Sequence, residues 1–87
     1  MEFEYDPNKS KLNKQKHGID FEESKTLWLD TNRLEIQAKS DDEPRYALIA
    51  TLNEKIWTVF YTIREKRTRI ISVRRSRKGE RGLYYES

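Results

Sequence analysis

Three arginines near the carboxyl end of the chain are the residues best suited to chemistry. Arg64 follows the apolar stretch 56–63, Arg74 ends the next candidate strand, 68–74, and Arg75 follows it. The planar guanidinium group binds phosphate or carboxylate through two parallel hydrogen bonds and stays protonated at neutral pH. These arginines therefore predict an anion-binding site. Alternation along a strand predicts that Arg74 and Arg75 point to opposite faces, and the spacing leaves open whether Arg64 and Arg74 share a site.

Positive charge is concentrated at the same end of the chain. Residues 1–63 hold nine Lys and Arg against twelve Asp and Glu, whereas residues 64–87 hold nine against three, and seven of those nine are Arg. A basic, arginine-rich end on a mildly acidic protein predicts a polyanion as ligand. A solvated charged surface explains the same charges equally well. The other basic residues expected to contact a polyanion here are Arg67, Arg69, Arg77, Lys78 and Arg81.

Few side chains near these arginines can carry a proton. Glu80 and Tyr84 are close in sequence, and His17 is the only side chain whose ordinary pKa lies near neutrality. Each also has a structural explanation. His17 can face a helix dipole, Glu80 can pair with Arg77 or Arg81, and Tyr84 can pack onto a sheet. The sequence therefore names candidate acids and bases without choosing among them.

The composition excludes several kinds of site. The chain has no cysteine, which removes disulfides, thiol nucleophiles and cysteine-bound zinc. With one histidine and no EF-hand spacing, we expect neither a metal site nor a cofactor. No apolar run is long enough to span a membrane and no signal segment opens the chain, so we expect a cytoplasmic protein without membrane contact. A length of 87 residues predicts one domain, residues 1–87, stabilised in part by a partner.

Three helices are predicted. The pair Asp6-Pro7 favours a helix start, and Gly18 favours a left-handed stop. Asp20 and Glu23 have the spacing of a capping box, which predicts the start of a second helix that packs on the sheet. A third, short helix is expected over residues 77–85.

Period-two patterns predict four strands, at residues 34–38, 46–52, 56–63 and 68–74. Connections this short require antiparallel neighbours. Residues 3–5 are a candidate short edge strand. Trp57 and Phe60 are expected in the core rather than on a base-stacking surface, although a surface aromatic beside the arginines would suit single-stranded RNA. The fold class is therefore α+β, with two N-terminal helices, a four-stranded antiparallel sheet and a short C-terminal helix.

Several motifs, in order along the chain, resemble one known family. Residues 3–9, Asn13 and 16–23 are similar to the opening of BrnT-type toxins, F-x-W/Y-D-x-x-K followed by N-x-x-K-H-G-x-x-F-E-E. The combination of the K-H-G-x-x-F-E-E motif at 16–23 with the R-I-I-S-x-R motif at 69–74 is specific, whereas either alone is weak. Further segments that look like this family are Arg45 with 48–50, Tyr61 to Arg64, Arg75, Glu80 and Tyr84.

The resemblance implies a compact RelE-like fold, a ribonuclease activity that inhibits translation, and neutralisation by a BrnA-like antitoxin. It also implies that the pair binds operator DNA only through the antitoxin, and it allows a homodimer of the toxin within that complex. Metal-independent RNA cleavage requires a base for the ribose 2′-hydroxyl, cations for the phosphorane and an acid for the departing 5′-oxygen. The resemblance places Arg64, Arg74 and Arg75 on arginine positions of the family's motif. This chemistry assigns phosphate and transition-state contacts to Arg64 and Arg74, the base to Glu80 or His17, and the acid to Tyr84.

The carboxyl end departs from the family pattern. The family often has a capping Ser or Thr before its last helix, where this chain has Arg77. Together with Gly79 and Gly82, this predicts a frayed last helix. A rival hypothesis is therefore an inactive module that binds RNA or the antitoxin, and the absence of a strong acid–base pair favours it.

Overall fold

A five-stranded mixed sheet with three helices makes up the chain. The computed structural model describes residues 1–87, and the strand order is β1-β5-β4-β3-β2. The α+β class is confirmed. In chain order the elements are β1 (Glu2–Glu4), α1 (Pro7–His17), α2 (Phe21–Ser24), a 3-10 segment (Lys25–Leu29), β2 (Leu34–Ala38), β3 (Arg45–Leu52), β4 (Lys55–Arg64), β5 (Arg67–Arg75) and α3 (Lys78–Glu86).

The four predicted strands form an antiparallel meander, as expected. The turns that join β3 to β4 and β4 to β5 each have two central residues with positive φ, which is the type I′ geometry that matches strand twist. One irregularity interrupts the β4–β5 ladder, where Phe60 pairs with Ser72 but Tyr61 pairs with Ile70. Ile71 is therefore left without a partner on β4, as in a β-bulge.

The prediction of a four-stranded, wholly antiparallel sheet was wrong at one edge. The segment at the amino end joins the sheet as a fifth strand, β1, and runs parallel to β5, with Phe3 opposite Thr68 and Glu4 opposite Arg69. A parallel neighbour needs a long crossover, which here contains all the elements between β1 and β5. Three alternating residues carry no information about such a distant partner.

The predicted helix signals at Asp6, Gly18 and Asp20 are confirmed, and the second helix, α2, is four residues long. Gly18 ends α1 with a φ of 79°, and Asp20 and Glu23 form the capping box that begins α2. After one turn the chain tightens into the 3-10 segment. The hydroxyls of Ser24 and Thr26 donate to the carbonyl oxygens three residues before them. Such bonds compete with the regular α-helical ladder.

The main core lies between one face of the sheet and the segment that runs from the end of α1 through the 3-10 segment. Its buried residues are Ile19, Phe21, Leu27, Trp28, Leu48, Ala50, Trp57, Val59, Tyr61, Ile70 and Val73. On the opposite face, α3 reaches the end of the sheet where β4 begins and β5 ends. The side chains of Leu34 and Ile36 on β2 face this opposite side of the sheet. Their cross-strand partners are Ile49 and Ala47, which are buried but do not belong to the main core.

Candidate active site

Arg74, at the end of β5, is bound on both sides of its guanidinium fork by Glu80 of α3. Its Nη1 and Nη2 atoms donate to Oε1 and Oε2 of Glu80, both at 2.8 Å. The guanidinium carbon lies 5.2 Å from the centre of the Phe60 ring, within the range of a cation–π contact. The two charged side chains are 21% and 22% exposed. This pair is therefore partly shielded from water but still accessible to a ligand.

Glu80 accepts two further hydrogen bonds. The Thr58 hydroxyl donates to its Oε1 at 3.1 Å, and the backbone N–H of Arg77 donates to the same atom at 2.7 Å. The hydrogen bonds from Arg74, with this backbone bond, hold the pKa of Glu80 at about 2, against the opposing effect of burial. Glu80 is therefore an ionised, fully engaged carboxylate and, in this arrangement, a weak base.

The expected ion pair of Glu80 with Arg77 or Arg81 is wrong. Arg81 instead donates from Nη1 to the carbonyl oxygen of Ser76, at 2.7 Å. Arg77 contacts Glu80 only through its backbone N–H, which donates to Oε1 of Glu80. Helix α3 therefore carries the carboxylate across to the sheet rather than along its own surface.

Arg74 and Arg75 do point to opposite faces, as alternation predicted. The guanidinium of Arg75 lies 5.6 Å from the ring centre of Trp57, which is a core residue, whereas Arg74 lies over Phe60. Trp57 is buried as expected, but Phe60 is half-buried on the face opposite the main core. Arg75 therefore contacts a different surface from Arg74.

Arg64 lies at the other end of the β4–β5 hairpin. Arg74 is the partner of Thr58, so Arg64 is six residues further along β4, a separation of about 20 Å. Its Nε and Nη2 atoms donate to Glu43 at 3.1 and 2.9 Å, which lowers the pKa of that carboxyl. The three arginines therefore do not form one cluster, and Arg64 belongs to a second basic region.

This second region contains two more of the predicted basic residues. Arg67 donates to Glu2 at 3.2 Å and Arg69 donates to Glu4 at 2.9 Å, so β1 supplies both carboxylates. Arg69 pairs across the sheet with Thr62. Arg77 and Lys78, in contrast, are exposed at the start of α3, near Arg74.

Between the two basic regions lies a row of small and apolar residues that no helix covers completely. We call this the open face; it is the cross-strand row Ile36, Ala47, Phe60 and Ser72, on β2, β3, β4 and β5. Ile36 is 36% exposed, and Phe60 and Ser72 are half-buried. An aromatic ring between arginines is the arrangement that suits unstacked nucleic-acid bases and their phosphates.

The other two proton carriers lie apart from the Arg74–Glu80 pair. His17 is the last residue of α1 and lines a groove of about 220 Å³ between α1 and β5, and its ring has no hydrogen bond to another residue. The Tyr84 hydroxyl donates to Oδ2 of Asp30 at 2.6 Å. Burial and this bond raise the pKa of Tyr84 to about 12. Neither side chain hydrogen-bonds to Arg74 or Glu80.

Sequence reasoning missed Thr58, which orients Glu80, and expected Phe60, which lies beneath Arg74, in the core. Thr58 and Phe60 alternate along β4 with the core residues Trp57 and Val59, so their position on the opposite face could have been deduced from period two alone. Ser76 accepts or donates a hydrogen bond with Thr58 at 2.8 Å. No local signal marks that contact, because it depends on where the chain turns after β5.

The rest of the surface offers no stronger chemical site. No three His, Cys, Asp or Glu side chains come together in a way that could hold a metal ion. A wider depression of about 500 Å³, at residues 37–41, is lined by one basic and one acidic side chain and includes neither Arg64 nor Arg74. No helix has both the length and the apolar character needed to cross a membrane.

Comparison with known proteins identifies the family. The family model described as "Ribonuclease toxin, BrnT, of type II toxin-antitoxin system" matches residues 5–80. The match includes Arg74 and ends at Glu80, so Tyr84 and most of α3 lie beyond it. No curated protein matches the chain. Since the family model spans most of the sequence, the chain belongs to the BrnT family of ribonuclease toxins of type II toxin–antitoxin systems, a membership that implies an RNA substrate and a protein antitoxin as partner.

Proposed function

We propose that this toxin is a metal-independent endoribonuclease that cuts RNA at the Arg74 end of the open face and thereby inhibits translation. The observation that carries the proposal is the forked contact of Arg74 with Glu80 above Phe60. A guanidinium fork that fits a carboxylate also fits a phosphate. The substrate phosphate takes the place of Glu80 on Arg74, and a flanking base stacks on Phe60.

In this proposal the exchange of partners on Arg74 also activates the base. When the guanidinium turns to phosphate, Glu80 loses its main stabilising contact and acquires an anionic neighbour, and both changes raise its pKa. Glu80 then takes the proton of the 2′-hydroxyl as O2′ bonds to phosphorus. Arg74 stabilises the phosphorane, and the departing 5′-oxygen takes a proton from Tyr84 or from water. His17 is the alternative base.

The partner in this proposal is a BrnA-like antitoxin that neutralises the toxin by covering the open face. Operator DNA is bound only through the antitoxin, and the toxin can pair with a second copy within the complex. The support is family membership together with the partly exposed row that ends at Ile36 on an edge strand.

The test is cleavage of a long RNA in EDTA by the antitoxin-free toxin and three variants. Arg74→Ala is expected to lower kcat about a hundredfold or more, as the loss of one group that stabilises the transition-state charge does. Glu80→Gln is expected to abolish cleavage while RNA affinity stays the same or rises, because a competitor for Arg74 is weakened. Arg64→Ala is the matched arginine control, because Arg64 lies about 20 Å from Arg74 along the strand direction. This variant should raise KM without lowering kcat.

The alternative function is that of a catalytically inactive module, which binds RNA or the antitoxin and takes part in autoregulation of its operon. The pKa of about 2 at Glu80 favours it, since this carboxylate is a weak base while Arg74 holds it. If the native toxin binds RNA and leaves it intact, with and without added ribosomes, this second function is correct. Equal cleavage by the native toxin and Arg74→Ala would instead reject the Arg74 site.

A further inference from the structure

Helix α1 presents a basic surface that the Arg74 site does not use. The helix carries four lysines and one histidine and no acidic residue. Lys14 is paired with Glu23 at 2.7 Å, whereas the side chains of Lys9, Lys16 and His17 form no ion pair or hydrogen bond with another residue. Lys9 and Lys16 lie about two turns apart on one side of the helix, and His17 directly follows Lys16. The charges of Lys9 and Lys16 are therefore available to an external anion.

These residues line the groove between α1 and β5. The groove has a volume of about 220 Å³, and no acidic side chain lines it. Leu12, 62% exposed, and the unpaired bulge residue Ile71 add apolar surface between the charges. Cations spaced along an apolar surface can bind phosphates while sugars or bases lie on the carbon atoms. The lining residues are Lys9, Leu12, Asn13, Lys16, His17, Phe21, Ile71 and Ser72.

The groove is continuous with the open face. Ser72 lines the groove and is also the cross-strand partner of Phe60. Its hydroxyl forms no hydrogen bond with another residue of the chain. β1 pairs with β5 only as far as Arg69, so no strand separates the open face from α1 beyond that residue. A polyanion that leaves the Arg74 site across the β5 edge therefore meets Lys9 and Lys16 next.

We propose that the groove between α1 and β5 is a second RNA-binding site, which holds phosphodiester groups of the strand that flanks the cleaved bond. The inference rests on the proposed function, because it extends the same RNA beyond the open face. Lys9 and Lys16 bind phosphates as point charges, and Ser72 donates a hydrogen bond to the strand as it crosses β5. The site sets how much flanking RNA the toxin needs, and Lys9, Lys16 and Ser72 take no part in the chemical step.

The test is the salt dependence of binding to a 2′-O-methyl RNA, which lacks the attacking hydroxyl and stays intact. For a single strand, each phosphate neutralised contributes about 0.7 to the slope of log K against log salt concentration. The double variant Lys9→Gln/Lys16→Gln is therefore expected to lower the slope by about 1.4. A control with the same change of charge, Lys11→Gln/Lys55→Gln, removes exposed lysines outside the groove and should leave the slope unchanged. An oligonucleotide too short to leave the open face should bind both variants equally.

The outcomes separate this inference from the proposed function. Cleavage of unmodified RNA by the native toxin, combined with equal slopes for the two double variants, rejects the groove alone. Failure of the native toxin to bind the 2′-O-methyl RNA rejects both. A loss of antitoxin affinity in Lys9→Gln/Lys16→Gln, with RNA slopes unchanged, assigns the groove to an acidic protein segment and overturns the RNA assignment.

Discussion

Asn13 joins three parts of the molecule through one buried side chain. Its Nδ2 donates to the carbonyl oxygens of Ile19 and Val73, at 2.8 and 2.9 Å, and its Oδ1 accepts from the backbone N–H of Val73 at 3.2 Å. β1 ends before this point, so the outer edge of β5 would otherwise have unsatisfied backbone groups. One amide thus continues the sheet pairing and fixes α1 against β5.

Replacement of Asn13 by Ala is expected to lower the free energy of unfolding by about 3 kcal/mol, because it leaves buried backbone donors and acceptors without partners. The measurement is urea denaturation, with an unchanged m value as evidence that the same surface is exposed on unfolding. Gln15→Ala, which removes an exposed amide from the same helix, is the control and should change the value by less than about 0.5 kcal/mol. Equal effects in the two variants would contradict the role of Asn13.

At the residue scale, the sequence identified the right residue types but not their groupings. The opposite orientations of Arg74 and Arg75 follow from period two and were predictable. The separation of Arg64 from Arg74 follows from their positions at opposite ends of one hairpin, but it required knowledge of the register. The Glu80–Arg74 pair was not predictable, because local spacing favours Arg77 and Arg81 as partners. Asn13 lay within the motif that resembled the family, yet nothing local indicated its distant partner Val73.

At the element scale, the two ends of the chain are attached differently from the middle. The hairpins β2 to β5 have strong period-two patterns and short connections, so their antiparallel order was predictable, whereas the residue register and the irregularity at Ile71 were not. β1 has three residues and α3 has no buried residue. β1 is positioned by its pairing with β5 and by the contact of Phe3 with Trp28, and α3 by the polar contacts of Glu80 and Tyr84. Local patterns do not encode these partners. In the structure α3 is a continuous helix of nine residues. The fraying of this helix that the sequence led us to expect stays a prediction.

Substitution of a glycine in α3 tests whether this segment is helical in the folded protein. Gly82 has open space where a Cβ would be, and its φ is in the ordinary range, so Gly82→Ala is expected to raise the free energy of unfolding by up to about 1 kcal/mol. Gly18 also has open space, but its φ of 79° disfavours any side chain. Gly18→Ala should therefore destabilise the protein, and the opposite signs can be measured by thermal unfolding of both variants. A loss of stability in Gly82→Ala would show that α3 does not form as a helix in the native state.

At the scale of the whole molecule, carboxylate–guanidinium pairs attach both ends of the chain to the central hairpin. Glu2 and Glu4 of β1 bind Arg67 and Arg69, and Glu80 of α3 binds Arg74. The first pair is well exposed and contributes little in water, whereas the last is about four-fifths buried. The same arginines are the expected RNA contacts, so the groups that bind substrate also hold the terminal elements in place.

The low pKa of Glu80 predicts how acid affects the fold. Its pKa falls from an ordinary 4.5 to about 2 in the folded chain, so its contribution to stability is complete above about pH 4.5 and is lost as the pH falls through about 2. A shift of this size corresponds to about 3 kcal/mol. In urea denaturation, the difference in unfolding free energy between the native protein and Glu80→Gln should therefore shrink across this range. Glu65→Gln removes a turn carboxylate that has no ion pair, and its unfolding free energy should run parallel to that of the native protein. A constant difference between the native protein and Glu80→Gln from pH 7 to pH 2 would mean that the Glu80–Arg74 pair does not anchor α3.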